Sequence, residues 1–477
     1  MNQVSWRIRL AFGVGQLPEG IKSAAFGFFL LFYYNQVLGL SGTLSGIAIF
    51  IAMLVDAVSD PMVGALSDST RSRWGRRHPY MYASAIPFAL SFYFLFVPMD
   101  GLSEMGLFWW LTIFSILTRT FMTFYSVPHM SLGAELTSDY DERTLLSSLR
   151  MVLQLVGMFG VLIGGPILFF GATEEFDNGQ LNPDAYPSFA LAAFFVMVIG
   201  VWLSALGTHS HIRYLPQAAV GARFSPISVI KDLIQAFKIR AFSAVVSASI
   251  IAGMNQGMLQ ALIIYTSTYF FELTPTQLTF QFAGGVVGVV TGSALTRPLS
   301  NFVREKRNLY ILGYAWYALF NSYVIILRLL DLLPDNGHPM IAPLYIISGT
   351  ISGIGLGVAI PLGASMIADI TDEHERRYGN RQEGIYYAAA SFAGKAIGGS
   401  GAILAGLIID FAGIPQGADP STVAPEAVAR FGWALGPSVL IMTAMAIGCI
   451  TFYNISRADH AGILREIKDR QKRAEPS

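Results

Sequence analysis

Long apolar segments alternate with short polar connections along this chain of 477 residues. A helix that crosses the hydrocarbon core of a bilayer needs about 20 apolar residues. Segments of this kind lie at residues 11–36, 43–68, 79–98, 106–133, 147–170, 187–207, 241–270, 276–300, 308–331, 339–368, 382–411 and 429–454. The pattern therefore predicts an all-α, multi-pass integral membrane protein with twelve transmembrane helices.

One long polar connection divides the predicted helices into two groups of six. The predicted units are a first bundle, a cytoplasmic linker, a second bundle and a cytoplasmic tail, at residues 1–207, 208–240, 241–456 and 457–477. A weak internal repeat supports this division, because residues 285–307 and 60–77 both join a small-residue helix end to a basic loop. Two six-helix halves around a site near the membrane midplane are typical of secondary transporters.

Basic side chains are concentrated in alternate connections. They are Arg71, Arg73, Arg76 and Arg77 in the first half, Arg213, Arg223, Lys231, Lys238 and Arg240 in the linker, and Arg304, Lys306, Arg307, Arg376, Arg377 and Arg381 in the second half. The connection at residues 171–186 instead carries four carboxylates. By the positive-inside rule, the basic connections and both termini are predicted to be cytoplasmic. In a bacterium, such a protein lies in the inner membrane.

Composition excludes several classes of function. Only 13% of the residues are charged, against roughly 25% in soluble proteins. Lys+Arg and Asp+Glu both number 31, so no basic excess indicates a nucleic-acid partner. No phosphate-binding glycine loop, histidine pair or nucleophile elbow is visible, which argues against an enzyme. We expect no cofactor beyond a coupling ion, a small-molecule substrate, and a monomer in the lipid bilayer.

Two carboxylates interrupt the second predicted helix. Asp56, Ser59 and Asp60 have the i, i+3, i+4 spacing that places all three on one helix face. An ionisable residue inside a membrane span is costly and marks a functional site by default. Two carboxylates one turn apart repel each other unless a cation or a proton lies between them. We therefore predict a site for Na⁺ or H⁺ here, to which Thr123 of the fourth helix adds an oxygen.

The alternative for this pair is a carboxylate that a structural arginine neutralises, or that stays protonated, with no part in transport. The alternative for Thr123 and Ser126 is a hydroxyl bonded to its own helix.

Other polar residues inside the predicted spans indicate a site for a polar organic substrate. They are Glu19 and Lys22 in the first helix, Ser126 in the fourth, Arg150 and Gln154 in the fifth, and Tyr387, Ser391 and Lys395 in the eleventh. Lys395 lies near the middle of its span, where it must pair, lose its proton or meet a water-filled cavity. The alternatives are an internal ion pair between Glu19 and Lys22, and an Arg150 that extends to the cytoplasmic interface.

A third set of charges lies at the cytoplasmic helix ends. It comprises Asp68, Arg73, Arg77, Glu135, Arg143, Asp369, Asp372 and Glu383. Asp68 lies at a helix C-terminus, where the dipole disfavours an anion, and should need a cationic partner. We interpret the set as a cytoplasmic gate of ion pairs that break and form between the halves. The alternative is ordinary solvated helix ends, whose surface pairs contribute about 0–1 kcal/mol each.

Three motifs carry a resemblance to a known family. They are D-A-V-S-D-P-x-x-G with S-R-W-G-R-R-H-P at 56–79, G-A-E-L-T-x-D-Y-x-E-R-T-x-L at 133–146, and A-D-I-T-D-E-H-E-R-R-x-G-x-R-Q-E-G at 368–384. In these motifs the chain resembles the glycoside–pentoside–hexuronide:cation symporters, which include melibiose permease and have the major facilitator fold. The resemblance implies cation-binding acids at Asp56 and Asp60 and a cation-binding threonine at Thr123. It implies a substrate-binding arginine, hydroxyl and lysine at Arg150, Ser391 and Lys395.

The chain departs from that family at four positions. Ser59 stands where the family usually has an asparagine, so H⁺ stays open beside Na⁺ as the coupling ion. Gly20 stands where the family has a helix-1 aspartate, with Glu19 adjacent. The sugar-binding aspartate and tryptophan of melibiose permease fall on Ser126 and Met130. These departures argue against a galactoside of the melibiose type.

The function predicted from these observations is cation-coupled symport of a sugar or glycoside by alternating access. One alternative keeps the fold and changes the substrate to a lysophospholipid or a related amphiphile. The resemblance extends to Na⁺-dependent lysophospholipid symporters through Lys395 and a D-F-A-G helix end at 410–413. A lateral opening lined with Phe and Met would favour that substrate, whereas a closed, hydroxyl-rich cavity would favour a sugar. A remote alternative is a sensor that keeps the fold and transports nothing.

Overall fold

The computed structural model describes residues 4–137, 139–176, 178–212, 237, 239–379, 386, 390, 394 and 399–474. Within that part of the chain every regular element is a helix. Ten of these helices are long and apolar enough to cross a membrane, which confirms the predicted class of all-α, multi-pass membrane protein. The count of twelve spans, the domain limits and the side on which the termini lie stay predictions.

The described residues of the first half form nine α-helical segments. They are α1 Trp6–Val14, α2 Leu17–Ala24, α3 Leu30–Phe32, α4 Gly42–Ser69, α5 His78–Phe96, α6 Glu104–Leu136, α7 Tyr140–Leu162, α8 Gly164–Leu168 and α9 Ala185–His209. The first three follow one another through the first predicted span, with π-helical turns at Ala25–Phe29 and Tyr33–Val37. Such turns inside α-helices are frequent at functional sites.

The second half continues the all-helical pattern. Its described helices are α10 Arg240–Tyr265, α11 Pro275–Phe302, α12 Lys306–Leu329, α13 Ile341–Tyr378, α14 Ser400–Ala412, α15 Pro425–Ile450 and α16 Arg457–Ala474. A π-helical turn at Thr266–Phe270 extends α10. Only the last part of the eleventh predicted span, α14, lies within the described residues. The predicted tail after residue 456 forms α16.

The fifth span begins earlier than predicted. We expected it from residue 147, but α7 starts at Tyr140. The carboxylate of Asp139 accepts a hydrogen bond from the backbone N–H of Glu142 and caps this helix. Arg150 therefore lies almost three turns inside the helix rather than near its start.

The tenth span ends later than predicted. Residues 369–381 were expected to form a connection, but α13 continues to Tyr378. Glu373 pairs with Arg376 at 2.7 Å and with Arg377 at 2.5 Å, one turn further along, and such pairs support a helix. The helix ends at Gly379, whose φ of 79° is in the left-handed region that favours glycine.

The halves meet where α4 begins and α14 ends. We call this the outer end, because the charge pattern predicts it to lie outside the cytoplasm. A Cβ at Gly42 would lie 2.8 Å from the carbonyl oxygen of Gly406, and one at Gly46 would overlap the carbonyl of Ala402. Small residues thus let the backbones of α4 and α14 approach closely, as is common between membrane helices.

Two buried tyrosines also join the halves at the outer end. The Tyr265 hydroxyl donates to Oδ1 of Asn35 at 2.9 Å, and the Tyr269 hydroxyl donates to Oε1 of Gln36 at 2.7 Å. All four side chains are nearly inaccessible to solvent. The structure is therefore closed at the outer end.

A carboxylate of the second half caps a helix of the first. Asp410 accepts hydrogen bonds from the Ser41 hydroxyl at 2.9 Å and from the backbone N–H groups of Gly42 and Thr43 at 2.8 Å each. The first N–H groups of a helix have no partner within it, and the positive end of the helix dipole favours an anion. Asp410 thus holds α4 and α14 together.

Asp410→Ala should open the outer end. Loss of a capping side chain costs about 0.5–2 kcal/mol, which would raise the population of outer-open molecules about two- to thirtyfold. Thr268→Cys, introduced with Cys449→Ser, places a thiol at a buried outer position of the second half. We expect maleimide to label this thiol faster when Asp410→Ala is added.

Asp419→Ala is the matched control for this labelling. Hydrogen bonds from the side chain and the backbone N–H of Ser421 hold the pKa of Asp419 below its usual value. That carboxylate is satisfied within its own loop, so its loss should leave labelling unchanged. Equal labelling in the two variants would contradict a role for Asp410 in closure.

The predicted gate charges form pairs within each half. Arg77 pairs with Asp68 at 2.5 Å and with Glu135 at 2.9 Å, so Asp68 has the cationic partner that its position requires. Lys306 pairs with Asp369 at 2.7 Å, and His460 contacts Asp372 at 3.0 Å. Two further gate residues make other contacts: Arg143 donates to carbonyl oxygens at the end of α6, and Arg73 lies over the ring of Trp74.

This arrangement differs from the expected pairing between the halves. Among the described residues, no ion pair at the inner end joins one half to the other. The physical reason is that the halves are in contact at the outer end. Pairing across the halves stays a prediction for a conformation closed at the inner end. Glu383 lies outside the described residues.

Candidate cation and substrate sites

A single threonine hydroxyl joins the two carboxylates of α4. Thr123 Oγ1 on α6 lies 3.0 Å from Oδ1 of Asp56 and 2.9 Å from Oδ1 of Asp60. Both Thr123 and Asp56 are buried. Three oxygen atoms from two helices therefore meet at one point. A hydroxyl has one proton and donates to one carboxylate at a time, so the site favours a further proton or a hard cation between the two acids.

The fourth member of this cluster is Arg119, which the sequence analysis missed. Arg119 precedes Thr123 by one turn on α6, and its Nη1 lies 3.4 Å from Oδ2 of Asp56. The guanidinium carbon lies 4.8 Å from the centre of the Phe26 ring. Glu19 and Asp60 also lie within electrostatic reach. An ionisable residue inside a membrane span marks a functional site by default, so Arg119 could have been predicted from the sequence.

The hydroxyl of Ser59 makes a hydrogen bond within its own helix. Its hydroxyl donates to the backbone carbonyl of Asp56 at 3.1 Å, as hydroxyls inside helices commonly do. We expected it to face the cation with the two acids. Because its proton is used within α4, only the oxygen lone pairs of Ser59 remain for a cation. Ser126, three residues beyond Thr123, is half-buried.

Glu19 and Lys22 form an internal ion pair. Lys22 Nζ lies 2.9 Å from Oε1 of Glu19, and the Ser23 hydroxyl donates to the same carboxylate at 3.2 Å. Lys22 is 8% exposed. The pair therefore matches the alternative considered for these residues, while Glu19 also connects α2 electrostatically to Arg119.

Arg150 lies in a small cleft of about 150 Å³ near the inner end, with Phe12, Met130 and Arg143 among its neighbours. Gln154, one turn further along α7, packs its backbone against α2 at Gly20. The structure therefore does not bring Arg150 into the Glu19–Lys22 pair. Tyr387, Ser391 and Lys395 lie outside the described residues, so their roles stay predictions.

A larger cavity of about 310 Å³ lies between the halves. The first half contributes Phe28 and one face of α7. The second half contributes faces of α10, α11, α12 and α13, with Leu435 of α15. The apolar lining includes Phe28, Met158, Phe159 and Phe282. Among the described lining residues there is no Asp, Glu, Lys, Arg or His.

Amide side chains supply much of the polar surface of this cavity. Gln256 and Gln260 lie one turn apart on α10, Gln281 lies on α11 and Asn321 on α12. These four amides were not among the residues predicted from the sequence. Amides inside membrane spans are enriched between packed helices, and the i, i+4 spacing of Gln256 and Gln260 was the available signal.

The first comparison with known proteins concerns the whole chain. The sequence model of the family described as MFS/sugar transport protein matches residues 11–457. The chain belongs to this family. The match spans both predicted halves, so it confirms the predicted major facilitator fold and the resemblance based on the three motifs.

Curated relatives include symporters for different substrates. An uncharacterized symporter of Synechocystis is 26% identical, with 99% of this chain and 98% of the relative covered. The isoprimeverose transporter of Lactiplantibacillus pentosus is 26% identical, covering 86% and 81%. The sodium-dependent lysophosphatidylcholine symporter 1 of Gallus gallus is 25% identical, covering 85% and 78%.

Solved structures agree on the fold. The crystal structure of a D-xylose–proton symporter superposes with a TM-score of 0.62 at 14% identity, covering 92% of this chain and 97% of that one. At that identity the likeness shows the fold alone.

Packing explains one departure from the symporter pattern. A Cβ at Gly20 would overlap the carbonyl oxygen of Gln154 and lie 2.7 Å from the backbone N of Met158. The facing residue Gly157 would meet the carbonyl of Leu17 in the same way. The backbones of α2 and α7 are thus in direct contact. An aspartate has no room at Gly20 in this conformation, and the nearest carboxylate is that of Glu19.

Gly20→Ala should destabilise the protein by about 1–3 kcal/mol, the usual cost of overpacking. Thermal unfolding of the purified protein in detergent measures the effect. Gly160→Ala on α7 is the matched control, because a Cβ there meets no atom within 4 Å. We expect that control to unfold at or slightly above the wild-type temperature. Equal stability of the two variants would show that α2 and α7 separate easily.

Proposed function

We propose that this protein is a cation-coupled symporter for a sugar or glycoside. The observation that carries the proposal is the junction of Asp56, Asp60 and Thr123 at one buried point between α4 and α6. Its membership of a sugar-transport family and the isoprimeverose transporter among its relatives support the substrate class.

The coupling ion, Na⁺ or H⁺, would bind between the two carboxylates. Both are hard oxygen ligands, and Thr123 adds a third oxygen. Occupancy neutralises charge that is otherwise costly to enclose in a dry site. The loaded protein would then close at the inner end and open at the outer end, or the reverse, by rocking of the two halves.

Arg119 would compete with the ion for Asp56. An arginine keeps its charge at any physiological pH, and its guanidinium already contacts Asp56. An ion that binds Asp56 would weaken this contact and leave Arg119 to interact with Glu19. Glu19 also pairs with Lys22, so an electrostatic interaction of Arg119 with Glu19 would couple the ion site to the predicted substrate residues of α2.

A lysophospholipid or related amphiphile is the second candidate substrate. The specific observation in its favour is the Phe- and Met-rich lining of the central cavity. Leu155 and Val290 line the cavity and are 37% and 59% exposed, which fits a lateral opening between α7 and α11. The lysophosphatidylcholine symporter among the relatives supports the same class.

Uptake into proteoliposomes tests the proposal. A preset Na⁺ gradient or pH gradient should drive accumulation of a neutral radiolabelled glycoside such as isoprimeverose above its external concentration. Accumulation driven by either gradient identifies the ion. Gradient-driven uptake of lysophosphatidylcholine instead would favour the second candidate. Absence of flux for both substrates, from correctly folded protein, would support a non-transporting sensor.

A further inference from the structure

Four amide and two serine side chains lie on the second-half wall of the central cavity. They are Gln256, Gln260, Gln281, Asn321, Ser348 and Ser352. We call these four amides and two serines the amide cluster. They come from four helices, α10 to α13, and face apolar side chains of the first half across the cavity.

The cluster is held rigidly on one side. Asn321 Nδ2 donates to the carbonyl of Tyr317 at 2.9 Å and to the hydroxyl of Ser352. Ser352 in turn donates to the Tyr317 carbonyl at 3.1 Å, and Ser348 donates to the carbonyl of Phe320. These donors are used within α12 and α13. What they still offer a ligand is oxygen lone pairs, which accept hydrogen bonds.

Gln281 offers an acceptor that the protein leaves unused. The residue is 6% exposed. Its amide packs against α13 at Gly349, in space that any side chain there would fill. Within the described part of the chain, Oε1 of Gln281 has no hydrogen-bond partner. A buried carbonyl oxygen without a donor is unfavourable, so a ligand hydroxyl that donates to it would be bound strongly.

Gln260 extends the cluster to the first half. Its Oε1 lies 3.1 Å from the position that a Cβ would take at Gly27. Gln256 is one turn away on the same face of α10. A ligand that contacts these two amides therefore lies at the interface of the halves, where transport requires it to be.

Aromatic rings complete the cavity. Phe28 of the first half meets Phe282 of α11 edge to face, with ring centres 5.4 Å apart, and Tyr317 and Phe320 also line the space. Amide groups beside aromatic rings suit a ligand that has both hydroxyls and an apolar face. An anionic or zwitterionic headgroup would find no charged partner among the described lining residues.

We propose that the amide cluster binds the hydroxyl groups of an uncharged glycosyl unit, with Gln281 and Gln260 as its main hydrogen-bonding residues. This inference rests on the proposed function and narrows it. The substrate would contact neutral amides of the second half, while Asp56 and Asp60 of α4, with Thr123 of α6, bind the coupling ion.

Binding measurements on the full-length protein in nanodiscs test the inference. The probes are the 4-nitrophenyl β-glucoside, β-galactoside and β-xyloside, in saturating Na⁺ at two pH values. We expect at least one to bind, and Gln281→Met and Gln260→Met to weaken it about tenfold or more by removing hydrogen bonds at nearly constant volume. A monodeoxy analogue that lacks the partner hydroxyl should bind wild type and Gln281→Met equally.

Asn255→Leu is the matched control. Asn255 precedes Gln256 on α10 and is buried like Gln281, but it faces α15, where it donates to Thr443 at 3.1 Å. We expect this variant to bind the glycoside within about threefold of wild type. Equal losses in Asn255→Leu and Gln281→Met would overturn the inference, as would failure of all three glycosides to bind.

Two further results separate this inference from the proposed function. Lysophosphatidylcholine binding that depends on Gln281 and Gln260 would overturn the inference and assign the cluster to a lipid headgroup.

Stabilisation by the coupling ion should persist in Gln281→Met, because the ion site lies on α4 and α6. If the ion stabilises every variant but no glycoside responds to the amides, the inference fails and the ion site stands. Absence of any ion effect in wild type would instead contradict the proposed function.

Discussion

Asp60→Asn and Asp56→Asn should each abolish stabilisation of the protein by its coupling ion. A ligand that binds only the folded state at about 100 times its Kd stabilises that state by about 2.7 kcal/mol. Asparagine keeps the size of the side chain but removes the charge that attracts the ion. Thermal unfolding against Na⁺, Li⁺ and pH measures the effect, and ion-driven uptake should fall about a hundredfold or more with it.

The two substitutions should differ in the absence of ion. Asp56 contacts the guanidinium of Arg119, so Asp56→Asn leaves a buried cation with one anionic partner fewer. Asp60→Asn keeps that contact. We therefore expect Asp56→Asn to lower the unfolding temperature and Asp60→Asn to leave it near or above the wild-type value.

Ser59→Ala is the matched control on the same helix face. Its hydroxyl donates to the Asp56 carbonyl, so its loss should weaken ion binding only slightly. An ion-dependent shift that survives in both aspartate variants would contradict a site at these acids. If the ion-dependent shift in unfolding temperature is lost equally in Ser59→Ala, Ser59 contributes to ion binding as much as the two acids do.

The fold follows from periodicity and charge. Apolar length and alternating basic connections predicted spans whose described limits agree with the structure to within five residues, apart from the start of α7 and the end of α13. Both differences arise where local polar contacts extend a helix beyond its apolar stretch. The cap at Asp139 and the pairs of Glu373 are short-range features, so sequence could have predicted them.

The candidate ion site was predictable for another reason. Two carboxylates one turn apart inside an apolar helix are rare enough to be informative alone. Thr123 entered the prediction as a hydroxyl inside a span and through the family resemblance, since no spacing rule relates α4 to α6. Arg119 lies in the same helix as Thr123 and was not predicted, although the same rule on ionisable residues inside spans applies to it.

Contacts between distant helices could not be read from spacing. The closeness of α2 and α7 at Gly20, and the cap that Asp410 places on α4, depend on how the halves pack. The amide cluster is a similar case. Its residues are spread over four helices between positions 256 and 352, and only the fold brings them to one wall.

Arg119→Gln should raise the affinity of the site for its coupling ion by about tenfold or more. The guanidinium lies 3.4 Å from Asp56, and two unit charges at about 4 Å interact by about 4 kcal/mol at an effective dielectric constant of ~20. The positive guanidinium repels an incoming cation, so its removal favours binding of the ion. The same change removes one partner of the buried Asp56 carboxylate, so the unfolding temperature without ion should fall. Thermal unfolding in an ion titration measures both effects.

Two charge controls make this result specific. Arg119→Lys keeps a cation on α6 and should keep an ion affinity close to that of wild type. Arg150→Gln removes a positive charge from the same half, but Arg150 lies in a separate cleft with Arg143, so ion affinity should change little. If Arg119→Gln binds the ion no more tightly than wild type, Arg119 does not compete for Asp56. If added ion also fails to restore the stability of Arg119→Gln, Arg119 acts in folding alone. The proposed link from the ion through Arg119 to Glu19 would then be wrong.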